Sequence, residues 1–184
     1  MIQFVEKDIE DLIMDSCPEK VRARGLDRFE HDAVFRQVNL GAYGIADIIG
    51  INFFTPEDGR TKVSSFTIYE LKKDAIGFSA FGQVARYAKG LKEYCRKEFA
   101  QDYVECYMVL IGSELELNSN FVYAANEAYP LACYTYKLSL EGLLFEKHDL
   151  DEYNPASLKD KGFGALDKIV FTELFKISSQ SVSE

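Results

Sequence analysis

An aspartate, a glutamate and a lysine stand in an order that suits phosphodiester hydrolysis. Asp47 closes the stretch Gly44-Ile45-Ala46-Asp47, and Glu70 and Lys72 flank Leu71. Two carboxylates brought close together offer hard oxygen ligands to a divalent cation such as Mg²⁺, which keeps several of its waters. A cation so held polarises a phosphate and lowers the pKa of bound water, from about 15.7 in bulk to about 7 in the best zinc case. Mg²⁺ acidifies water less than zinc does. A neighbouring ammonium therefore has work to do, and Lys72 is the candidate: it can orient an attacking hydroxide or offset charge on the pentavalent transition state.

The elements that must position these groups follow from the pattern around them. Ile45, Ala46, Ile48, Ile49 and Ile51 form an apolar, largely β-branched run interrupted by Asp47 and Gly50, which predicts a buried strand carrying one acid. Pro56, Asp58 and Gly59 predict a turn between Asn52 and Lys62. Phe66 to Lys72 is then the hairpin partner, with Phe66, Ile68 and Leu71 packing. Alternation along a strand puts Glu70 and Lys72 on one face while Leu71 turns to the other. Simple pairing of the hairpin lets Asp47 approach Glu70. A Glu and a Lys so spaced on a strand are more often a solvated pair worth about 0–1 kcal/mol. The ordered set, and the cost of burying Asp47 without a partner or metal, favour a site.

Phe78 to Ala100 reads as an amphipathic helix, with Val84, Ala88, Leu91, Cys95 and Phe99 on one stripe. Gln83, Tyr87 and Tyr94 run along its margin, and Gln83 and Tyr87 are stacked on adjacent turns. Arg86, Lys89, Lys92, Arg96 and Lys97 fill much of the remaining surface. That is the composition of a solvated basic face. It is equally that of a face that meets phosphates, with Arg86 and Lys89 as the candidates nearest the margin.

The set resembles the PD-(D/E)XK nuclease superfamily, restriction-endonuclease-like in fold, and within it the branch carrying a QxxxY helix. Gly44 to Asp47 is similar to the first metal-ligand motif, with Ala46 where the superfamily has its proline. Glu70-Leu71-Lys72 matches the second motif, and Gln83 with Tyr87 the third. The pattern is closest to the nuclease domain of NucS-type endonucleases, where a similar order ends in GQxxRY, here Gly82 to Tyr87. The similarity runs from about Glu6 to Leu91. It implies a restriction-endonuclease-like α/β core, a mixed sheet of four or more strands flanked by helices, to which the C-terminal β-hairpin that alternation predicts is an elaboration. It implies Mg²⁺ or Mn²⁺ held by Asp47, Glu70 and the backbone carbonyl of Leu71, Lys72 as catalytic lysine, and Gln83 and Tyr87 bracing the site or touching substrate. Such families often add a glutamate from the first helix. Glu6 and Glu10 both qualify, and Glu6 is favoured because Ile9 and Ile13 follow it at core spacing.

The activity so implied is metal-dependent hydrolysis of DNA, by an endonuclease before an exonuclease. An RNA-directed nuclease shares the chemistry, and a non-catalytic nuclease-fold subunit that binds nucleic acid or a protein is the alternative. NucS-type proteins carry a separate DNA-binding and dimerisation domain, to which nothing here corresponds, so their specificity does not transfer. The formal charge of −9 and pI of about 4.8 also disfavour a free-standing DNA binder. A homodimer or an accessory DNA-binding partner is the expected source of positive charge.

Apolar residues make up 47%, with 14 Phe and 11 Tyr, enough for one packed core. One nuclease-like domain is expected over 1–176, with a Ser-rich disordered tail over 177–184. Within it, Tyr103 to Ile111 reads as a strand, and Ala132 to Leu138 with Leu140 to Lys147 as a hairpin across Gly142. Leu166 to Phe175 reads as a final helix. Tyr123, Tyr129, Tyr134 and Tyr136 suit sheet packing better than base stacking. No apolar run approaches bilayer length and no signal peptide is evident at Met1 to Asp8, so a cytoplasmic protein is expected, with no membrane partner. Cys17, Cys95, Cys106 and Cys133 lack CxxC spacing and the two histidines, His31 and His148, are far apart. That disfavours a zinc site and thiol or Ser-His-Asp catalysis.

Overall fold

Val5 is the N-cap of the first helix, α1 (Glu6–Met14), and its N–H is accepted by the Asp8 carboxylate at 2.8 Å, half of a capping box. Ile9 and Ile13, one turn apart on α1, are fully buried, which sets the face the helix turns to the sheet. A second short helix, α2 (Pro18–Ala23), starts on Pro18, where a missing N–H costs nothing. The computed structural model describes residues 5–57, 59–116, 121, 124–125, 130–140 and 142–150. The expected helix over Leu166–Phe175, the tail from Ile177, and Tyr123 and Tyr129 lie outside the described residues.

The sheet has six strands: β1 (Ala33–Asn39), β2 (Ile45–Phe54), β3 (Lys62–Leu71), β5 (Glu105–Gly112), β7 (Leu131–Ser139) and β8 (Gly142–His148). Their spatial order is β1-β2-β3-β5-β7-β8. The outer pairs are antiparallel hairpins, while β3, β5 and β7 run parallel through the centre. A parallel neighbour cannot be reached by a tight turn. The 22-residue helix α3 (Phe78–Phe99) makes the crossover from β3 to β5. Two short strands, β4 (Ala75–Ile76) and β6 (Glu114–Leu115), pair in parallel beside it. The fold is therefore the mixed α/β sheet flanked by helices that the resemblance implies, together with the C-terminal hairpin that alternation predicts.

Alternation assigns the two faces. Tyr69, Leu71, Val109 and Ile111 join Ile9 and Ile13 in the core under α1 and α2. Residues between them face α3: the Cys106 thiol lies 3.9 Å from the Ala88 carbonyl of that helix. Each fully buried aliphatic side chain in these layers contributes about 1.5–3 kcal/mol of transfer free energy. Burial also makes the thiols inert, pushing Cys106 up to about 11 and Cys133 up to about 12. Among the described residues no helix is long and apolar enough to cross a membrane.

Candidate active site

The β2–β3 register pairs Ile48 with Tyr69 and Ile49 with Ile68. Continued by one residue, it sets Asp47 directly across from Glu70, on the face that α3 covers. The two acids therefore meet as the hairpin pattern predicts. Asp47 is held by the backbone of the next residue, since the Leu71 N–H donates to its Oδ2 at 2.8 Å. Glu70 is 3% exposed, and its Oε1 accepts from the Lys72 ammonium at 2.7 Å. Its other oxygen, Oε2, is buried with no hydrogen-bond partner among the described residues.

That orphaned oxygen decides how the site is read. A buried acceptor left unpaired costs about 1–3 kcal/mol, and more when charged. The charges say the same. Burial, reinforced by Asp47 and Glu6, pushes Glu70 up to about 7 against the pull of Lys72. Burial also raises Asp47, with Glu6 adding to the shift, while the Leu71 N–H and Lys72 oppose it. Burial pulls Lys72 down, but Glu70, Glu6 and Asp47 outweigh it and hold the ammonium above its ordinary value. Three carboxylates thus face one ammonium, and the cluster is short of positive charge. Its donors are all oxygens, which suits a hard cation. Among the described residues no three His, Cys, Asp or Glu side chains stand at metal-holding spacing. Two carboxylates suffice for Mg²⁺, which takes one or two and fills its octahedron with water and substrate.

The two helix-1 glutamates part company. Glu6 is exposed; its Oε1 accepts from the Lys73 N–H at 3.4 Å, and its charge is felt at Asp47, Glu70 and Lys72. Glu10 is buried and faces Arg36 Nε at 3.9 Å. Its Oε2 accepts from the side chain of Gln37 on β1, which also reaches Asp47. Gln37 carries no sequence signal beyond a strand-like setting. The Tyr136 hydroxyl, donating to the Lys73 carbonyl at 2.8 Å, ties β7 to the chain just past Lys72.

On α3, Tyr87 is buried rather than marginal, and the reason is Gly44. At φ +107 that glycine adopts a conformation side chains rarely take, and a Cβ there would stand 3.0 Å from the Tyr87 ring and 3.2 Å from the Arg86 guanidinium. Burial and the Glu70 charge both raise the Tyr87 phenol. Tyr43, just before Gly44, lies against Gly90, where a Cβ would come within 2.7 Å of its ring, and donates to Glu93. The turn that leads into β2, the strand carrying Asp47, is thereby pinned to α3 at two points. Gly44→Ala is expected to force Tyr87 outward and cut activity about tenfold or more, measured as single-turnover cleavage; wild-type rates in that variant would remove the Gly44–Tyr87 contact from the site.

The remaining candidates on α3 divide. Gln83 keeps a buried Oε1 without a partner among the described residues, one turn before Tyr87. Arg86 stacks over the Tyr87 ring, 5.6 Å from its centroid, beside the site. Lys89 pairs with Glu93 at 3.8 Å, along a groove it shares with Lys92 and Arg96. Tyr94 does not join Gln83 and Tyr87. It packs edge-on against Phe99, and both are more than half exposed on the wall of an apolar cavity of about 850 Å³. The apolar stripe of α3 runs past the part of the sheet that can cover it, so Phe99 is 60% exposed instead of buried.

No family model matches this chain, and no curated protein does. Among solved structures it is similar to a repair endonuclease from Pyrococcus abyssi, at 20% identity and a TM-score of 0.45, over 72% of this chain and 47% of that one. It is also similar to the small subunit of the heterodimeric restriction endonuclease R.BspD6I, at 15% identity and a TM-score of 0.34, over 92% of this chain and 85% of that one. The chain thus spans about half the length of the repair endonuclease.

Proposed function

We propose that this chain is a Mg²⁺- or Mn²⁺-dependent nuclease that hydrolyses DNA phosphodiester bonds, an endonuclease before an exonuclease. The observation that carries the reading is the unpartnered Oε2 of Glu70, buried across the hairpin from Asp47. Asp47, Glu70 and the Leu71 carbonyl would hold the cation, with Glu6 beside them. A divalent ion there supplies charge to the scissile phosphate and a more acidic water. Lys72 stays an ammonium at neutral pH, since its carboxylate neighbours raise its pKa. Its part is then to donate hydrogen bonds and positive charge to the attacking oxygen or the transition state, not to act as a base. Gln83 and Tyr87 brace the site from α3, and Arg86 offers a guanidinium to a phosphate beside it. Lys89 would meet the strand further along the helix.

The overall charge of −9 works against tight autonomous binding. A homodimer or an accessory DNA-binding partner would then supply the rest of the grip. RNA is a substrate of the same chemistry, so both nucleic acids belong in the test. Single-stranded, duplex, flapped and mismatched DNA, and RNA, are incubated with Mg²⁺, Mn²⁺ or EDTA. Cutting that requires the metal, with DNA preferred, is the expected outcome. No cutting of any substrate would overturn the enzyme in favour of a non-catalytic nucleic-acid or protein-binding subunit, and cutting of RNA alone would replace the substrate.

A further inference from the structure

We infer that Gln37 is a positioning residue of the carboxylate pair: its single amide NH₂ spans Glu10 and Asp47 and fixes the orientation in which Asp47 faces Glu70. This rests on the metal-site reading above and adds a residue to it. The β1–β2 register pairs Arg36 with Ile48 and Val38 with Ala46, which puts Gln37 directly across from Asp47. Gln37 has φ +50, and among the described residues only Ala100, at the C-cap of α3, shares a positive φ without being glycine. For a side chain of this size that conformation is uncommon. It turns Gln37 out of the regular ladder while its neighbours on both sides remain paired.

What the strained residue gains is a bridge. Its Nε2 donates to Glu10 Oε2 and lies 3.4 Å from Asp47 Oδ1. An amide nitrogen carries two hydrogens, one for each acid. With the Leu71 N–H on Oδ2, both oxygens of Asp47 then have a donor, and the carboxylate has one orientation. Glu10 is 5% exposed, and Arg36 Nε faces its other oxygen, so the far end of the bridge is itself anchored. The choice of an amide is chemically specific. A lysine would cancel the negative charge that a cation needs, and a glutamate would add a third carboxylate between two others. A neutral donor holds the two acids together and leaves their charge available. Groups that orient a metal ligand from behind typically govern metal affinity by about 10–100-fold.

Gln37→Gly separates this role from a structural one, because glycine tolerates φ +50 and loses only the side chain. Mn²⁺ affinity is measured by titration calorimetry, without substrate, for wild type, Asp47→Asn and Gln37→Gly, with melting temperatures alongside. The expected result is binding by wild type, loss in Asp47→Asn, and affinity about tenfold or more weaker in Gln37→Gly, in a protein that still melts in one cooperative transition. Unchanged affinity in Gln37→Gly, with Asp47→Asn still defective, overturns the role of Gln37 and leaves the metal site standing. Failure of wild type to bind Mn²⁺ overturns both.

Discussion

Lys72→Ala is expected to abolish cleavage, lowering the single-turnover rate by about 10²–10³-fold, while the protein stays folded and holds metal at least as well as before. The rate estimate is that for removing one preorganised charge donor from a transition state, about 2.7–4 kcal/mol. The fold should survive because Lys72 follows the end of β3, half-buried, and no core packing depends on it, although the second Glu70 oxygen left without a donor costs about 1–3 kcal/mol. Its contact is the 2.7 Å pair with Glu70. Removing an ammonium from among Asp47, Glu70 and Glu6 leaves the pocket more negative, which favours a divalent cation. A ligand mutant such as Asp47→Asn behaves in the opposite sense, losing metal and rate together. The two variants, compared by Mn²⁺ calorimetry and single-turnover cleavage, separate the residue that acts on the reaction from the residues that hold the ion. Undiminished cleavage by Lys72→Ala would end its assignment. Weakened Mn²⁺ binding in that variant would mean that Lys72 shapes the carboxylates instead.

How much of this could be seen in the sequence depended on whether a residue's partner was near in the chain or far. The β2–β3 hairpin was legible because an isoleucine-rich run, a turn and an apolar return leave one plausible register, and that register brings Asp47 to Glu70. The α3 helix was legible from its period, and the last hairpin from alternation across Gly142, whose φ of +114 suits a glycine. What could not be read was geometry that only the tertiary structure creates. The helix α2 is six residues long, and β1 is a half-exposed edge strand of unremarkable composition. Gln37 on that strand takes its meaning from a positive φ and a partner 27 residues back. Periodicity continued the apolar stripe of α3 to Phe99, but periodicity cannot say where the sheet beneath it stops. Helical position alone puts Tyr87 at a margin; the room for it under Gly44 is a feature of a distant loop.

Glu70→Gln should abolish the proposed cleavage and yet stabilise the metal-free protein at pH 8. In the fold Glu70 is raised from 4.5 to about 7, by burial first and then by the Asp47 and Glu6 charges, against Lys72. Between those two values the folded protein binds more protons than the unfolded chain, so stability falls as pH rises through that window and levels off above about 7. Glutamine cannot ionise and therefore escapes that loss. Each kcal/mol recovered raises the melting temperature of a chain this size by about 2–4 °C. The variant should melt higher than wild type at pH 8 and show little advantage at pH 5, where wild-type Glu70 is itself protonated. In the variant the glutamine carbonyl oxygen can still accept from Lys72, which loses only the charge of its partner and keeps those of Asp47 and Glu6. Mg²⁺ adds the second half of the test. A ligand that binds only the folded state raises its stability by mass action, so Mg²⁺ should raise the melting temperature of wild type and leave Glu70→Gln unmoved. Lower stability at pH 8 would make the Glu70–Lys72 pair a net support of the fold. An equal gain at both pH values would trace the effect to packing instead of charge. The expected pattern is that of a fold that keeps a buried acid ionised at the expense of its own stability, a cost that binding of the cation offsets.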